Sequence, residues 1–505
     1  MREFWRNRRA NVAVVFAVAA LPLSMVVGFG VDLTNAERVK MALQDATDEA
    51  AISLARGEST IPDSAIASTA KSYVMASYNK TPTITVTNAT IDRTSVIATI
   101  DDQAVVPAYF SQLIGMSTIT VKAHSVAQGV KIEVGLVLDT SGSMNDSLGS
   151  GGTKISALRT AVSDFLDTMF GGQSASQRVS IGIVPFAASV RIVPAGSAPS
   201  ATYMDTTGVE GDPYGDFDQP KKATRFQLFT QMHQNWGGCV MTRPPPYDVT
   251  DDTPTKSQPA TLFIPWFAPD EPDTTLGWGS TAYENNYIPD NGGTCGNGYG
   301  LSDLKQEQRI CKYKNATPAS GLGPNYLCNS NAITPLTNTL GTLQTAASTL
   351  SASGNTNLLE GLMWGWRVLS PGEPFTEGKA YGAPDNRKVI IMMTDGVNNY
   401  GGVNNMNDSS YFTYGFARNA LLGQATTDNN ALDAMLDAKY LKACANAKAA
   451  GVVIYTIGFG SDVDANLLRS CATQPSYFYA PQNSSDLDPV FQQIAQSINN
   501  LRLSE

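Results

Sequence analysis

The chain has 505 residues, enough for two or three domains with buried cores. Acidic residues outnumber basic ones, 45 to 35, and the net charge of −10 disfavours a general nucleic-acid-binding role. There are only two histidines, His124 and His233, so a His-rich zinc site is excluded and a Ser-His-Asp triad would have to use one of them.

Charged residues make up 16% of the chain, while Gly, Pro, Asn, Ser and Thr are plentiful. That composition suits a folded extracytoplasmic protein with long loops better than a disordered one. The first residues carry Arg2, Arg6, Arg8 and Arg9, and a basic N-terminus spans residues 1–11. Twenty uncharged residues follow, from Val12 to Val31. As a helix they would be about 30 Å long, the thickness of a bilayer core. The arginines place the N-terminus in the cytoplasm and everything after Asp32 outside. A cleaved signal peptide is the competing reading, but the apolar run is long and no Ala-x-Ala stretch closes it. Both readings export the bulk of the chain.

The helix should continue past Asp32, because Ala36, Val39, Leu43, Ala46, Ala50 and Leu54 fall at spacings of three and four. Their small size would let related helices approach closely. Gly57 and Pro62 end it, and a second short helix covers Ser64 to Tyr78. Alternation then takes over at Ile84/Val86, Val96/Ala98/Ile100 and Val121/Ala123, which reads as strands with one wet face. Residues 32–128 thus form a small α+β stalk of pilin-like outline, in which His124 is a strand residue.

Lys131 to Leu138 is almost uninterruptedly apolar, as in a buried strand of a parallel sheet. At its C-terminal end stand Asp139, Ser141 and Ser143, spaced two apart. Ligands bind at the carboxyl ends of strands in open α/β sheets, and a carboxylate with two hydroxyls suits Mg²⁺ or Mn²⁺ better than zinc. A polar turn capping the next helix is the plainer reading. The entrance to that helix, GSGGTK, lacks the Gly-Lys-Ser/Thr ending of a phosphate loop. The helix covers Lys154 to Met169, and a second strand covers Val179 to Phe186, extended towards Val193.

Periodicity disappears from residue 195 to 333, a stretch rich in Pro, Gly, Tyr and Trp with Cys239, Cys295, Cys311 and Cys328. Four cysteines and many aromatics favour a folded, stapled insertion over a linker. Regular structure resumes with helices at Leu336–Leu350 and from GNTN (354–357) through Val368. The strand KVIIMMT (388–394) then ends in Asp395-Gly396. A polar loop (397–416), helix 431–449, strand 452–458, a helix from Asp464, strand 477–480 and helix 487–501 complete a doubly wound α/β pattern. All six cysteines follow the apolar segment, and Cys444 and Cys471, on helices flanking one strand, should pair. The other four allow three connectivities.

DTSGS at 139–143, Thr356 in GNTN and Asp395 in MMTDG resemble the metal-ion-dependent adhesion site of von Willebrand factor A domains, in that family's order. The resemblance implies a Rossmann-like sheet built from residues 131–194 and 334–502, with 195–333 as its insertion. It also implies Mg²⁺ or Mn²⁺ held at Asp139, Ser141, Ser143, Thr356 and Asp395, with a free position for a partner's Glu or Asp. More narrowly, ANVAVVFA, GFGVDLTNAERVKMALQDATDEAA and VPAYFSQLIGMSTITVKAHSVA resemble TadE/TadG-type Flp pilus-assembly proteins. WGGCVMTRP, FAPDEP and NNYIPD resemble the TadG branch. That resemblance implies an inner-membrane, periplasm-facing protein that binds pilus subunits or assembly proteins and forms oligomers through its helix and stalk. No Gly–Glu pair of a prepilin-peptidase cut is seen, so no such cleavage is expected. A metal-assisted hydrolase and a purely structural tether are the alternatives, but no general base stands out and both histidines lie outside the motif loops.

Overall fold

A computed structural model describes residues 8–56, 61–78, 83–92, 97–149, 151–218 and 224–501. Most of the basic N-terminus, and Gly57, lie outside the described residues. The chain divides into two compact units, 1–130 and 131–505.

In the first unit the uncharged run and the small-residue run form one continuous helix, α1 (Arg8–Arg56). A stretch of it is long and apolar enough to cross a membrane. α2 (Ile66–Ser77) and an antiparallel meander of β1 (Ile84–Asp92), β2 (Ile97–Pro107) and β3 (Thr118–Gln128) complete the unit. Period-two alternation on β2 and β3 sends Ala98, Ile100, Ala104, Val121 and Ala123 to one face. There they meet Ala36, Val39, Leu43, Ala46, Ala50 and Leu54, all buried. The small-residue face is therefore filled by the protein's own sheet, so it is not free to receive a neighbouring helix. Thr47 donates to Oδ2 of buried Asp102 at 2.9 Å, while Asp102 Oδ1 has no hydrogen-bond partner among the described residues, and burial raises the pKa of this carboxyl.

The second unit is a six-stranded sheet in the order β6-β5-β4-β7-β8-β9. Its elements are, in chain order, β4 (Lys131–Asp139), α3 (Lys154–Phe170), β5 (Val179–Phe186), α4 (Arg225–Gln231), α5 (Asp303–Glu307), β6 (Thr334–Thr337), α6 (Leu340–Ser348), α7 (Leu358–Val368), β7 (Asn386–Thr394), α8 (Asn429–Ala449), β8 (Val453–Gly458), α9 (Ala465–Cys471), β9 (Phe478–Tyr479) and α10 (Ser484–Leu501). All strands pair in parallel except β6, which runs antiparallel along β5. α3, α6 and α10 pack on one face, reached by Val134, Leu136, Ile391 and Met393. α7 and α8 pack on the other, reached by Val137, Ile390 and Met392. β4 and α7 touch at glycines: a Cβ on Gly365 would stand 2.3 Å from Val137 Cγ2, and one on Gly135 would stand 2.9 Å from the Gly365 carbonyl.

One expectation needs correcting, and one can be extended. The helix expected from Leu336 begins only at Leu340, because Thr334–Thr337 adds an edge strand where Pro335 is tolerated. The insertion is more than a stapled appendage. Phe217, Phe229, Trp236, Phe263, Phe267 and Tyr313 pack in one core with Val137, Phe186 and Trp364, so residues 195–333 cover one face of the sheet. Two disulfides, Cys239–Cys328 and Cys295–Cys311, hold the insertion. The third, Cys444–Cys471, ties α8 to α9 as the sequence suggested.

Candidate metal centre

β4 and β7 are neighbours at the point where strand order reverses, so the loops leaving their carboxyl ends diverge and open a crevice. Asp139 is the last residue of β4, and Asp395 follows the last residue of β7. Both carboxylates are buried.

The loop after β4 turns back on itself through Asp139, whose Oδ1 accepts the Ser141 N–H at 2.8 Å. Thr394 of β7 donates its hydroxyl to Asp139 Oδ2 at 2.6 Å, so both oxygens of Asp139 are engaged. The Ser141 and Ser143 hydroxyls are 3.1 Å apart, and Ser143 Oγ donates to Asp395 Oδ1 at 2.7 Å. Thr356 sits on the loop before α7. There Asn357, with its side chain accepting the Glu360 N–H, serves as the helix cap. Thr356 Oγ1 lies beside Gly396, 3.7 Å from where a Cβ would be, and its carbonyl accepts the Asn399 N–H at 3.0 Å. Gly142 N–H to the Gly354 carbonyl and Ser353 N–H to the Thr140 carbonyl, each 2.8 Å, fasten the first and second loops together. Residues from three loops, the first more than two hundred positions before the other two, thus meet at one edge of the sheet.

Lys154, the first residue of α3, also reaches this centre and was missed in the sequence reading. Its Nζ is 2.7 Å from Asp395 Oδ2 and 3.6 Å from Asp146. Burial works to lower its pKa, but Asp395 and then Asp146 hold the ammonium above its ordinary value. Asp139 has no such counter-charge. Burial first, and the Asp395 charge second, push its carboxyl up to about 6. Thr394 and Asn398 are further supports. Asn398 accepts the Leu358 N–H at 2.7 Å and donates to Asp437 of α8 at 2.7 Å, which fixes the start of α7. Lys154 had a usable signal as the only cation between the D-x-S-x-S loop and α3; Asn398 had none, because its role depends on tertiary contact.

His124 and His233 do not join the site. His124 Nδ1 is 2.7 Å from Asp101 Oδ1 on the stalk sheet, and His233 is exposed beside Asn315. Among the described residues no group of three or more His, Cys, Asp or Glu is arranged to hold a metal. The converging set is instead three hydroxyls and two carboxylates, hard oxygens that fit a divalent cation of the Mg²⁺ class. The insertion borders the site through Asn329, which donates to Ser353 Oγ at 3.4 Å. The 397–416 loop is held by the insertion in turn, with Thr281 N–H on the Asn404 carbonyl at 3.0 Å and Ser410 Oγ on Glu284 at 2.9 Å.

Residues 10–56 match the Flp pilus-assembly TadE/G-like family, and residues 373–493 match the von Willebrand factor type A domain. The second match starts after α7, and the sheet adds β4, β5 and α7 to the same domain. No curated protein sequence matches the chain. Among solved structures, the chain is similar to the vWF domain of the type V pili tip protein Mfa5 from Porphyromonas gingivalis, at 12% identity and TM-score 0.34, covering 75% of this chain and 98% of that one. It is also similar to the pilus adhesin SpaC from Lactobacillus rhamnosus GG, at 14% identity and TM-score 0.31, covering 83% of this chain and 35% of that one. Proximal thread matrix protein 1 from the mussel byssus, in a form with a zinc-occupied MIDAS motif, is similar at 11% identity and TM-score 0.29, covering 74% and 46%. The chain thus spans about a third of SpaC and about half of the byssus protein. The chain joins a TadE/G-like pilus-assembly segment to a von Willebrand factor type A domain.

Proposed function

We propose that this protein is an inner-membrane-anchored, periplasm-facing component of the Flp pilus assembly machinery, and that its A domain grips an acidic residue of a pilus subunit or assembly partner. Asp139, Ser141, Ser143, Thr356 and Asp395 would hold Mg²⁺ or Mn²⁺, and the bound cation would supply a Lewis-acidic position for the partner's carboxylate. The observation that carries this reading is the meeting of two buried carboxylates and three hydroxyls, with a single ammonium to balance them.

The charges support a gripping role. Two carboxylates and Lys154 sum to −1, so a divalent cation brings the centre to +1 and one incoming carboxylate neutralises it. Asp139 and Asp395 supply charge from fixed positions, while the serine and threonine hydroxyls add oxygen donors without further negative charge. Ser143 and Gly396 are partly exposed and Val397 is exposed, so a partner has a route to the centre. We read the site as a binder and not as an enzyme, since no histidine is among its hydrogen-bond partners and every carboxylate in it has a holding role.

The test is Asp139→Ala in the purified protein and in cells. The parent should show a Mg²⁺-dependent rise in melting temperature that the variant lacks, while both keep the same circular dichroism spectrum. Pilus assembly and partner capture should fall in the variant. Unchanged assembly and capture by a folded variant would sink the proposal. Turnover of a substrate by the parent, lost in the variant, would favour a hydrolase.

A further inference from the structure

The largest cluster of exposed apolar side chains outside the N-terminal half of α1 lies on the loop between β2 and β3. Within eight residues, Tyr109, Phe110, Leu113, Ile114 and Met116 are 72, 47, 68, 57 and 45% exposed. No other eight-residue stretch among the described residues beyond α1 carries as many. A loop tip in a soluble domain is normally polar, so five such side chains need an apolar environment.

The loop is fastened at one particular level of α1. Asp32, the first charged residue after the uncharged run, is buried and accepts the N–H groups of Tyr109, Phe110 and Ser111 at 3.1, 2.8 and 2.7 Å, and the Ser111 hydroxyl at 2.8 Å. The carboxylate is thereby spent on the first turn of the short 3₁₀ helix Ser111–Ile114. One helical turn below Asp32, Phe110 rests directly on Gly28. A Cβ at Gly28 would stand 2.6 Å from Phe110 Cβ and Cγ, so only glycine admits the ring there. Phe110 also closes the upper end of an apolar groove of about 550 Å³ along α1, lined further by Phe16, Leu23, Val27 and Val31. Arg38 lines a second groove beside Asp32 and Tyr109, on the polar side of the same junction.

We propose that the 109–116 loop is a second membrane contact, a wedge whose Tyr109, Phe110, Leu113, Ile114 and Met116 enter the lipid layer where α1 leaves it. The occupant is the bilayer because the patch is continuous with the uncharged face of α1 and is pinned at the residue where that face ends. Apolar side chains of interfacial elements reach about 5–10 Å into the headgroup and acyl boundary, and Gly28 lies about 6 Å below Asp32 along the helix. A wedge at this level would fix the tilt and rotation of α1, which a lone helix leaves free. The inference rests on the membrane-anchor reading above.

The experiment uses the full chain in phosphatidylcholine/phosphatidylglycerol liposomes. All six cysteines are in disulfides, so one added cysteine carries an environment-sensitive fluorophore. The label is placed in turn at Leu113→Cys, Val26→Cys and Trp278→Cys. The Leu113 label should be quenched by shallow spin-labelled lipid, by at least about threefold more than the Trp278 label, and be protected from aqueous iodide. Asp32→Ala should lower that lipid quenching and raise iodide access without moving the Val26 label. Iodide access at Leu113 equal to that at Trp278, with Val26 still quenched by lipid, overturns the wedge and leaves the anchor standing. Shielding of Leu113 from both quenchers also overturns it, since protein then covers the patch. Loss of lipid quenching at Val26 removes the anchor and the wedge together.

Discussion

Lys154 would set how strongly the proposed centre draws a cation. Its ammonium sits 2.7 Å from Asp395 and is nearly buried, so it acts as a resident counter-ion. At an effective dielectric of about 20, unit charges about 4 Å apart interact by about 4 kcal/mol, and an incoming cation must overcome part of that repulsion. Lys154→Met should therefore tighten Mg²⁺ or Mn²⁺ binding by about tenfold or more in titration calorimetry. In chelator, the same variant should lose about 3 kcal/mol of stability, because Asp395 is left as a buried, unpaired charge. Unchanged or weaker cation affinity in a folded Lys154→Met protein would show that the ammonium does not compete for the centre. A different carboxylate carries a pH signal. Burial holds Glu271 up at about 7 despite the hydrogen bond from the Asn285 N–H, and Glu307 adds repulsion. Asn407 bridges the two glutamates at 2.9 Å each, joining the insertion to the 397–416 loop. A carboxyl whose pKa is raised on folding stabilises most when protonated, so its contribution is present below about 4.5 and is lost as pH rises through about 7. Glu271→Gln, a neutral mimic, should show a melting temperature that pulls ahead of the parent as pH rises from 5 to 8, worth up to about 3 kcal/mol at the top. Parallel melting curves across that range would contradict it.

The crossing of α7 over β4 governs where Thr356 stands, since Thr356 immediately precedes the helix. Gly135 meets the Gly365 backbone directly, and the Val137 side chain packs against the bare face of Gly365. Gly365→Ala would drive a methyl group into Val137 and cost about 2 kcal/mol by overpacking. The shift of α7 should also carry Thr356 away from Ser143 and Asp395 and shrink the Mg²⁺-dependent melting shift. Val137→Ala in the same chain should restore much of both, and failure of that rescue would show that the crossing does not set the site. Elements of this kind differ in how far they could be read in advance. β4 and β7 were legible because a run of apolar residues closing on Asp139 or Asp395 is what a strand buried on both faces and open at its end requires. The glycine crossing was not, because a glycine within an apolar run carries no mark of what approaches it. Thr334–Thr337 was misread because four residues give too little periodicity to part an edge strand from the start of a helix. The insertion hid its role for a related reason: it buries Phe263, Phe267 and Tyr313 from irregular backbone, and no regular spacing records that they face the sheet. The five residues that meet at the sheet edge stand in the chain as a recognisable order of residue types, and Lys154 is marked only as the one cation at the entrance to α3, its contact with Asp395 coming from the placement of that helix.

At the scale of the whole molecule, α1 belongs to two environments, and this dictates where the chain can be cut. Val12 to Val31 is uncharged and mostly exposed among the described side chains, while Ala36 to Leu54 form one wall of the stalk core. Removing residues 1–31 should free the protein from membranes and leave both units folded, because nothing in the stalk core precedes Ala36. Removing residues 1–56 should instead strip the sheet of β1 to β3 of its cover. At about 25 cal/mol per Å² of apolar surface, exposing Leu43, Leu54 and the alanines around them exceeds the margin of so small a unit, and the shortened chain should aggregate. A chain of residues 131–505 avoids that exposed face and should keep its Mg²⁺-dependent melting shift, as the second unit contains the whole candidate centre. The full chain should resist extraction by high salt and by alkaline carbonate, and yield only to detergent. Alkaline phosphatase fused after Glu505 should be active, as it is only when exported, if the arginines before Val12 hold the N-terminus in the cytoplasm. Release by salt alone would remove the anchor, and an inactive fusion on a membrane-retained chain would reverse the orientation while leaving the anchor intact.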